Sequence, residues 1–198
     1  MGKIVSVEGC MGAGKTTLVN FLSDELGVEK ILEQAYQNPF IDDFYSGANA
    51  KLETELTFLL QHYSLLKKAK QKDSLVLADF SIEKDLVFAR LNLTQDEFSI
   101  FRNVYDFVVD SVGTSDMVIF LEVPIEVLFE RVRLRGRPYE VNIDPIYFRD
   151  YGDQLKAYFK KETPSSVIFV DSNNLDLASY YPNTENLNRM RRAIEAML

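Results

Sequence analysis

The stretch Gly9-Cys10-Met11-Gly12-Ala13-Gly14-Lys15-Thr16 constrains this chain more than any other. It has the form G-x-x-x-x-G-K-[ST], and both flanks suit that form. Lys3-Ile4-Val5-Ser6-Val7 is a β-branched run that reads as a buried strand, and Thr17-Leu18-Val19-Asn20-Phe21-Leu22 opens a helix. A glycine-rich turn between strand and helix is the setting of a phosphate-binding loop. Glycines let the backbone adopt positive φ and come close to an anion. Successive N–H groups and the helix N-terminus then face a β-phosphate. Residues Gly9 to Thr17 are therefore the expected phosphate site, with Lys15 neutralising the β/γ-phosphates and the Thr16 hydroxyl offered to Mg²⁺.

Bulk properties narrow the partners. A chain of 198 residues with 46% hydrophobic content is long enough to bury a core and suggests a single domain over residues 1–198. A formal net charge of −8 argues against nucleic acid as a general partner, since a phosphate backbone requires basic surface. Cys10 is the only cysteine, so no intrachain disulfide or cysteine-based metal site forms. It sits at a variable position of the loop and reads as a small filler rather than a redox thiol. The N-terminus lacks a signal-peptide pattern, and no apolar run approaches the roughly 20 residues that cross a bilayer. A cytoplasmic protein without membrane attachment is expected.

The remaining pattern alternates strands and helices. Lys30-Ile31-Leu32 reads as a strand ending at Glu33, Ile41 to Tyr45 as a short helix, and Leu52 to Lys70 as a long one. Ser74–Ala78, Met117–Leu121 and Val167–Val170 read as further strands, the first ending at Asp79 and the last at Asp171. Helices are expected near Ile82–Arg90, Gln95–Val112, from Pro124 to about Leu134, Asp144–Lys161 and Glu185–Met197. Thr94 with Glu97 resembles a capping box. This order predicts an α/β fold: three layers, α/β/α, around a parallel sheet of about five strands. Gln95–Val112 is apolar around much of its circumference, which points either to burial within the monomer or, with Leu52–Lys70, to a homodimer interface.

Charged groups at strand ends add chemistry. Ligands of open α/β sheets bind outside the carboxyl ends of the strands. Glu33 and Asp79 each close what reads as a buried apolar strand, so both are expected beside the phosphate loop. Arg131, Arg135 and Arg137 form a second constellation. The first two share a helix face, and Gly136 and Pro138 place the third on a loop. Arginine forks suit the negative charge that spreads during phosphoryl transfer.

Together these residues resemble the deoxynucleoside kinase family, P-loop NTPase-fold enzymes that phosphorylate the 5′-hydroxyl of deoxynucleosides. The likeness rests on Gly9–Thr16, on Glu33 with Asn38-Pro39-Phe40 and Phe44-Tyr45, on Asp79-Phe80-Ser81, on Arg131 to Glu140, and on the late strand ending in Asp171. It implies that Glu33 is the general base and that Thr16 and Asp79 serve Mg²⁺. It implies an arginine-rich lid near residues 131–143 in which Arg131, Arg135 and Arg137 cover the phosphates of ATP or another nucleoside triphosphate. It also implies Glu140 at the sugar 3′-hydroxyl, Tyr45 in the deoxynucleoside site, and Asp171, Ser172, Asn173 and Asn174 beside the donor base. Glu55, His62 and Asp85 align with the base-reading glutamine, arginine and acid of the family, with Gln61 a rival for the glutamine and a structural role equally open for His62.

The chain departs from the family at Phe80, where an arginine usually follows the acid; Lys84 is the nearest basic residue on the following helix that could replace it. An ionised Glu55 would only accept hydrogen bonds, so amino-bearing bases, purines first, are expected over thymidine. A nucleoside monophosphate kinase is the first rival, but residues 33–43 contain no Lys or Arg to hold an acceptor phosphate. A GTP-binding switch is the second. Asp110-Ser111-Val112-Gly113 matches D-x-x-G at the end of a helix rather than after a strand, and Asn173-Asn174-Leu175-Asp176 lacks the lysine of N-K-x-D. A non-catalytic protein that keeps the fold is the third, opposed by the intact Lys15, Thr16, Glu33 and arginine cluster.

Overall fold

The computed structural model describes residues 2–47, 49–140, 143–173, 175 and 184–198. Five parallel strands, β1 (Lys3–Glu8), β2 (Glu29–Ile31), β3 (Leu75–Ala78), β4 (Met117–Glu122) and β5 (Ser166–Asp171), form one sheet in the order β2-β3-β1-β4-β5. Among the described residues eight helices connect or follow them: α1 (Lys15–Leu26), α2 (Ile41–Ser46), α3 (Lys51–Lys70), α4 (Ile82–Asn92), α5 (Gln95–Val112), α6 (Ile125–Arg135), α7 (Pro145–Lys161) and α8 (Thr184–Glu195). The expected α/β architecture and strand number are both present. Short 3-10 turns at Ala35–Gln37 and Pro138–Glu140 are additions that hydrophobic periodicity does not signal.

Both faces of the central strands are covered. Ile4 through Glu8 are all buried in β1, as are Leu75 through Ala78 in β3, the continuous burial expected of an inner parallel strand. α1 and α8 lie together, joined by a salt bridge between Glu25 and Arg191. α3 packs on α4 and α5, and α4 on α7. The amphipathic helices turn one stripe inward. On α5 it is Phe101, Tyr105, Val108 and Val112; on α7 it is Phe148, Tyr151, Leu155, Tyr158 and Phe159.

β2 corrects an expectation. It is an edge strand, exposed at Glu29 and only half-buried at Lys30 and Ile31, so Glu33 does not close a buried strand. A three-residue apolar run cannot distinguish an edge from an interior position. The register still carries Glu33 to the site. Ile31 and Ser6 both pair with Ala78, so the chain emerges from β2, β3 and β1 at one level and brings Glu33, Asp79 and Glu8 to the same sheet edge.

Local capping fixes where the helices begin. Thr94 Oγ1 accepts from the Glu97 N–H, and Glu97 Oε2 accepts from the Thr94 N–H at 2.9 Å, completing the expected capping box of α5. Thr94→Ala removes the side-chain half of this cap and is expected to lower stability by ~1 kcal/mol, read from urea unfolding.

Candidate active site

The carboxyl ends of β1, β2 and β3 open onto a cavity of about 540 Å³, within the usual ~300–1,000 Å³ of small-molecule sites. The phosphate loop forms one wall, and Met11 through Thr17 line it. Gly12 shows why glycine is required: its φ is +82°, and a Cβ there would stand 3.0 Å from the Leu128 carbonyl oxygen and 3.1 Å from Val132 Cγ2. The loop can therefore lie close against α6. Lys15 Nζ folds back over the loop, donating to the carbonyls of Gly9 at 2.8 Å and Cys10 at 3.2 Å. Burial lowers its pKa against the opposing attraction of Glu8. The Cys10 side chain does not face this cavity. Its Sγ lies 3.5 Å from where a Cβ on Gly152 of α7 would stand, and burial pushes the thiol up to about 11, so only its backbone belongs to the loop.

Asp79 ties the strand ends together. Thr16 Oγ1 donates to its Oδ2 at 2.5 Å, and the Glu33 N–H donates to its Oδ1 at 2.7 Å. A hydroxyl and a carboxylate side by side are hard oxygen donors, the ligand type that Mg²⁺ takes with substrate phosphates. Among the described residues no group of three or more His, Cys, Asp or Glu could enclose a metal alone.

The floor is a network of buried charges. Lys84 Nζ donates to Glu33 Oε1 at 2.7 Å. His62 Nε2 stands 3.4 Å from the same oxygen without hydrogen-bond alignment, while its Nδ1 is 2.7 Å from Asp85 Oδ2. Burial by itself would raise the Glu33 pKa, but the charge of Lys84 and the nearby His62 outweigh it and hold the carboxyl far below its ordinary range. Burial would likewise lower His62; the Asp85 carboxylate overcomes it and lifts the imidazole to about 9. Lys84 is raised by Glu33, Glu8 and Asp85 against its own burial. His62 is thus not part of the cavity wall. It lies behind it, stacked on Phe80 with ring centroids 4.1 Å apart and planes at 15°.

One further expectation changes. Glu55 lines the cavity, but it is 3% exposed, its Oε1 accepts from Asn92 Nδ2 at 2.8 Å, and burial pushes it up to about 8. Burial thus favours its neutral form, with one donor and one acceptor as in a glutamine amide, over the acceptor-only carboxylate expected from its residue type. On the opposite wall, Arg131, Arg135, Arg137 and Glu140 all face the cavity. Arg135 grips buried Glu140 with two bonds of 2.6 Å from Nη2, and Arg137 lies 3.5 Å from it. Arg131 makes no ion pair among the described residues and is the arginine open to an anion there. The turn Pro138–Glu140 rests on α2, which carries Tyr45, also at the cavity with its hydroxyl 3.7 Å from Met11 Sδ. Ser172 lines the cavity, whereas Asp171 and Asn173 are exposed beyond it and Asn174 lies outside the described residues. Asp110–Gly113 closes α5 and takes no part in the site.

A family model described as deoxynucleoside kinase matches residues 5–194. The chain belongs to the deoxynucleoside kinase family. Among relatives, it is 29% identical over 181 residues to a deoxyguanosine kinase of Bacillus subtilis, covering 87% of each chain. It is 26% identical over 194 residues to a deoxyadenosine kinase of Lactobacillus acidophilus, covering 90% of each. The fold is similar to that of a deoxyadenosine kinase from M. mycoides with bound dATP, with a TM-score of 0.81, 21% identity, and coverage of 98% of this chain and 99% of that one. Against the family pattern, Phe80 is 0% exposed and packs on His62 instead of presenting a charge, and Lys84 is the cation beside Glu33.

Residue types alone did not reveal several participants. Glu8 is 0% exposed, neither of its oxygens has a well-aligned hydrogen-bond partner among the described residues, and burial pushes it up to about 7 despite Lys84, Lys15 and nearby Ser81. Asn92 reaches Glu55 from the end of α4, and Phe88 stacks on Tyr151 at 4.1 Å to form apolar wall. Lys84, already named as the nearest basic residue after Phe80, carried a second signal: a lysine in the first turn of a helix opposes the helix dipole and calls for an anionic partner.

His62 is the chain's only histidine, so one imidazole C–H resonance reports it without assignment. That signal is expected to titrate near 9, not 6.5, and Asp85→Asn should bring it down sharply. With the folded pKa above the unfolded one, the imidazolium's stabilisation is complete below about 6.5 and is lost as pH rises through about 9. The wild type should therefore lose stability across that window, and Asp85→Asn should lose much less.

Proposed function

We propose that this protein transfers the γ-phosphoryl group of ATP, or another nucleoside triphosphate, to the 5′-hydroxyl of a deoxynucleoside in cytoplasmic nucleotide salvage. The observation that carries the reading is the Glu33 carboxylate beside the phosphate loop, 2.7 Å from Lys84 and 3.4 Å from His62. Both of these cations are already engaged with it. A second phosphate would therefore meet a carboxylate and apolar walls, whereas a neutral sugar alcohol would meet a proton acceptor. This separates the reading from a nucleoside monophosphate kinase.

The geometry supports a role for each group. The loop N–H groups and Lys15 hold the donor phosphates, and Arg131, from a lid spanning about residues 131–143, faces the transferring group. Thr16 and Asp79 would hold Mg²⁺ through their oxygens, and the ion would supply neutralisation of phosphate charge. Glu33 takes the 5′-hydroxyl proton; the sugar oxygen forms its bond to the γ-phosphorus, and the bond to the bridging oxygen breaks with its electron pair leaving on the nucleoside diphosphate. We assign Glu140 and Tyr45 to the deoxynucleoside sugar, Glu55 and Asp85 to its base, and Ser172, the one of the expected donor-base residues that lines the cavity among the described residues, to the donor base. An uncharged Glu55 does not exclude thymine, so the purine preference rests on the deoxyguanosine and deoxyadenosine kinases among the relatives.

Glu33→Gln is expected to retain ATP binding and lose ~10²–10⁴-fold in transfer, the usual range for a positioned general base. In a panel of deoxynucleosides and their monophosphates, the purine nucleosides should be the best acceptors and the monophosphates should not react. Near wild-type turnover in Glu33→Gln, or a preferred monophosphate, would reject the reading.

We also propose a homodimer through α3 and α5. Their inward residues are buried in the monomer, yet Leu60, Ile100 and Phe107 remain 51%, 53% and 64% exposed. Sedimentation should give a dimer that Phe107→Asp weakens.

A further inference from the structure

The floor of the cavity contains a lysine where a helix should not tolerate one. Lys84 is in the first turn of α4, three residues after the cap Ser81, whose Oγ accepts its N–H at 3.3 Å. The positive end of the helix dipole opposes a cation there, and at 5% exposure water does not relieve the conflict. Such a residue is kept only by strong partners. Every element packed around it provides one: Glu33 after β2, Glu8 at the end of β1, and Asp85 on α4 itself.

The contact with Glu33 is asymmetric. Lys84 Nζ at 2.7 Å and His62 Nε2 at 3.4 Å both approach Oε1. Among the described residues Oε2 has no hydrogen bond, and Glu33 is 22% exposed at the cavity. One oxygen is anchored and the other is presented. The remaining charged neighbours are Asp85 behind His62, Lys15 across Glu8, and Asp79, which holds the Glu33 backbone N–H.

We propose that Lys84 is the positioning residue of the acceptor side: it fixes Glu33 through Oε1 so that Oε2 alone takes the 5′-hydroxyl proton, and its charge turns to the new phosphate ester as Glu33 becomes neutral. This rests on the transfer reaction proposed above. Before transfer, Lys84 and Glu33 cancel. When the proton leaves the sugar oxygen and binds Oε2, the carboxylate is lost and Lys84, with only Glu8 and Asp85 left behind it, loses its nearest partner beside the product. Product phosphate gains charge at the moment the cation is released to it, so electrostatic stabilisation grows along the reaction and not in the ground state. Phe80 fits the same scheme. It places no cation of its own beside Glu33 and packs flat on His62, whose Nε2 then faces Oε1.

The test is kcat/KM for the best deoxynucleoside against pH at saturating ATP, with ATP binding measured separately, in wild type, Lys84→Met, Lys84→Arg and the double variant Lys84→Met/Glu8→Gln. The wild type should show no acid limb from Glu33 above about pH 5, because a paired carboxylate stays ionised there. Lys84→Met should lose ~10²–10³-fold, bind ATP normally, and acquire an acid limb between about pH 5 and 8, because a buried carboxylate without its cation ionises late. Lys84→Arg should keep the low limb and most of the rate. The double variant removes one buried acid with the cation, so it tests the same limb if Lys84→Met fails to fold. A wild-type rate in Lys84→Met, or a uniform loss with the limb unmoved, would overturn the proposal and leave a structural salt bridge. A wild type inactive toward every deoxynucleoside would overturn the transfer reaction itself, a different result from either.

Discussion

An acid at the bottom of a cavity remains ionised only if a cation is held against it. Removing a carboxylate from water is costly by several kcal/mol, and Glu33 would meet that penalty by taking a proton and ceasing to be a base. The 2.7 Å contact from Lys84 prevents this. The rest of the architecture can be understood as the means of achieving that contact. β2 must run parallel to β3 in the register that pairs Ile31 with Ala78, so that Glu33 emerges over the start of α4. Ser81 must cap α4, so that Lys84 points along the floor. Asp79 must accept the Glu33 N–H, so that the backbone carrying the acid cannot drift. Each requirement lies in a different element, and the sheet is the only body that spans them.

The same dependence explains what could be inferred from sequence. Features written in consecutive residues were legible: the phosphate loop between its strand and helix, the capping box at Thr94 and Glu97, and the arginine run ending at Gly136. Their physics is local, a matter of φ angles, caps and helix faces. Asp79 was legible because a continuous apolar run announces a central strand. The edge position of β2 was not, since Lys30-Ile31-Leu32 is too short to show a period. Charge state was the least legible property of all. Glu55 carries a residue name that suggests a carboxylate, yet its ionisation is set by burial and by Asn92, thirty-seven positions away. Glu8 is similar: at the end of an apolar strand its letter gives no hint that it lies enclosed among Lys15 and Lys84.

His62 and Phe80 show how one substitution constrains another. A family arginine would place a rigid fork of donors beside the base. Phe80 has no donor, but its ring is flat, and it stacks on the imidazole at 4.1 Å. That stack holds one ring nitrogen toward Asp85 and the other toward Glu33. Asp85 favours the imidazolium, and Lys84 and His62 both approach Glu33 Oε1, Lys84 alone with hydrogen-bond alignment. On the proposed reaction these two cations would stand in for the family's bidentate group. The exchange has a consequence for selectivity. A guanidinium can reach a substrate atom and the base together, whereas His62 is 1% exposed and cannot. Glu55 and Asp85 line the cavity instead, held by Asn92 and His62. On the proposed reaction, base preference would follow how Asn92 and His62 hold these two acids.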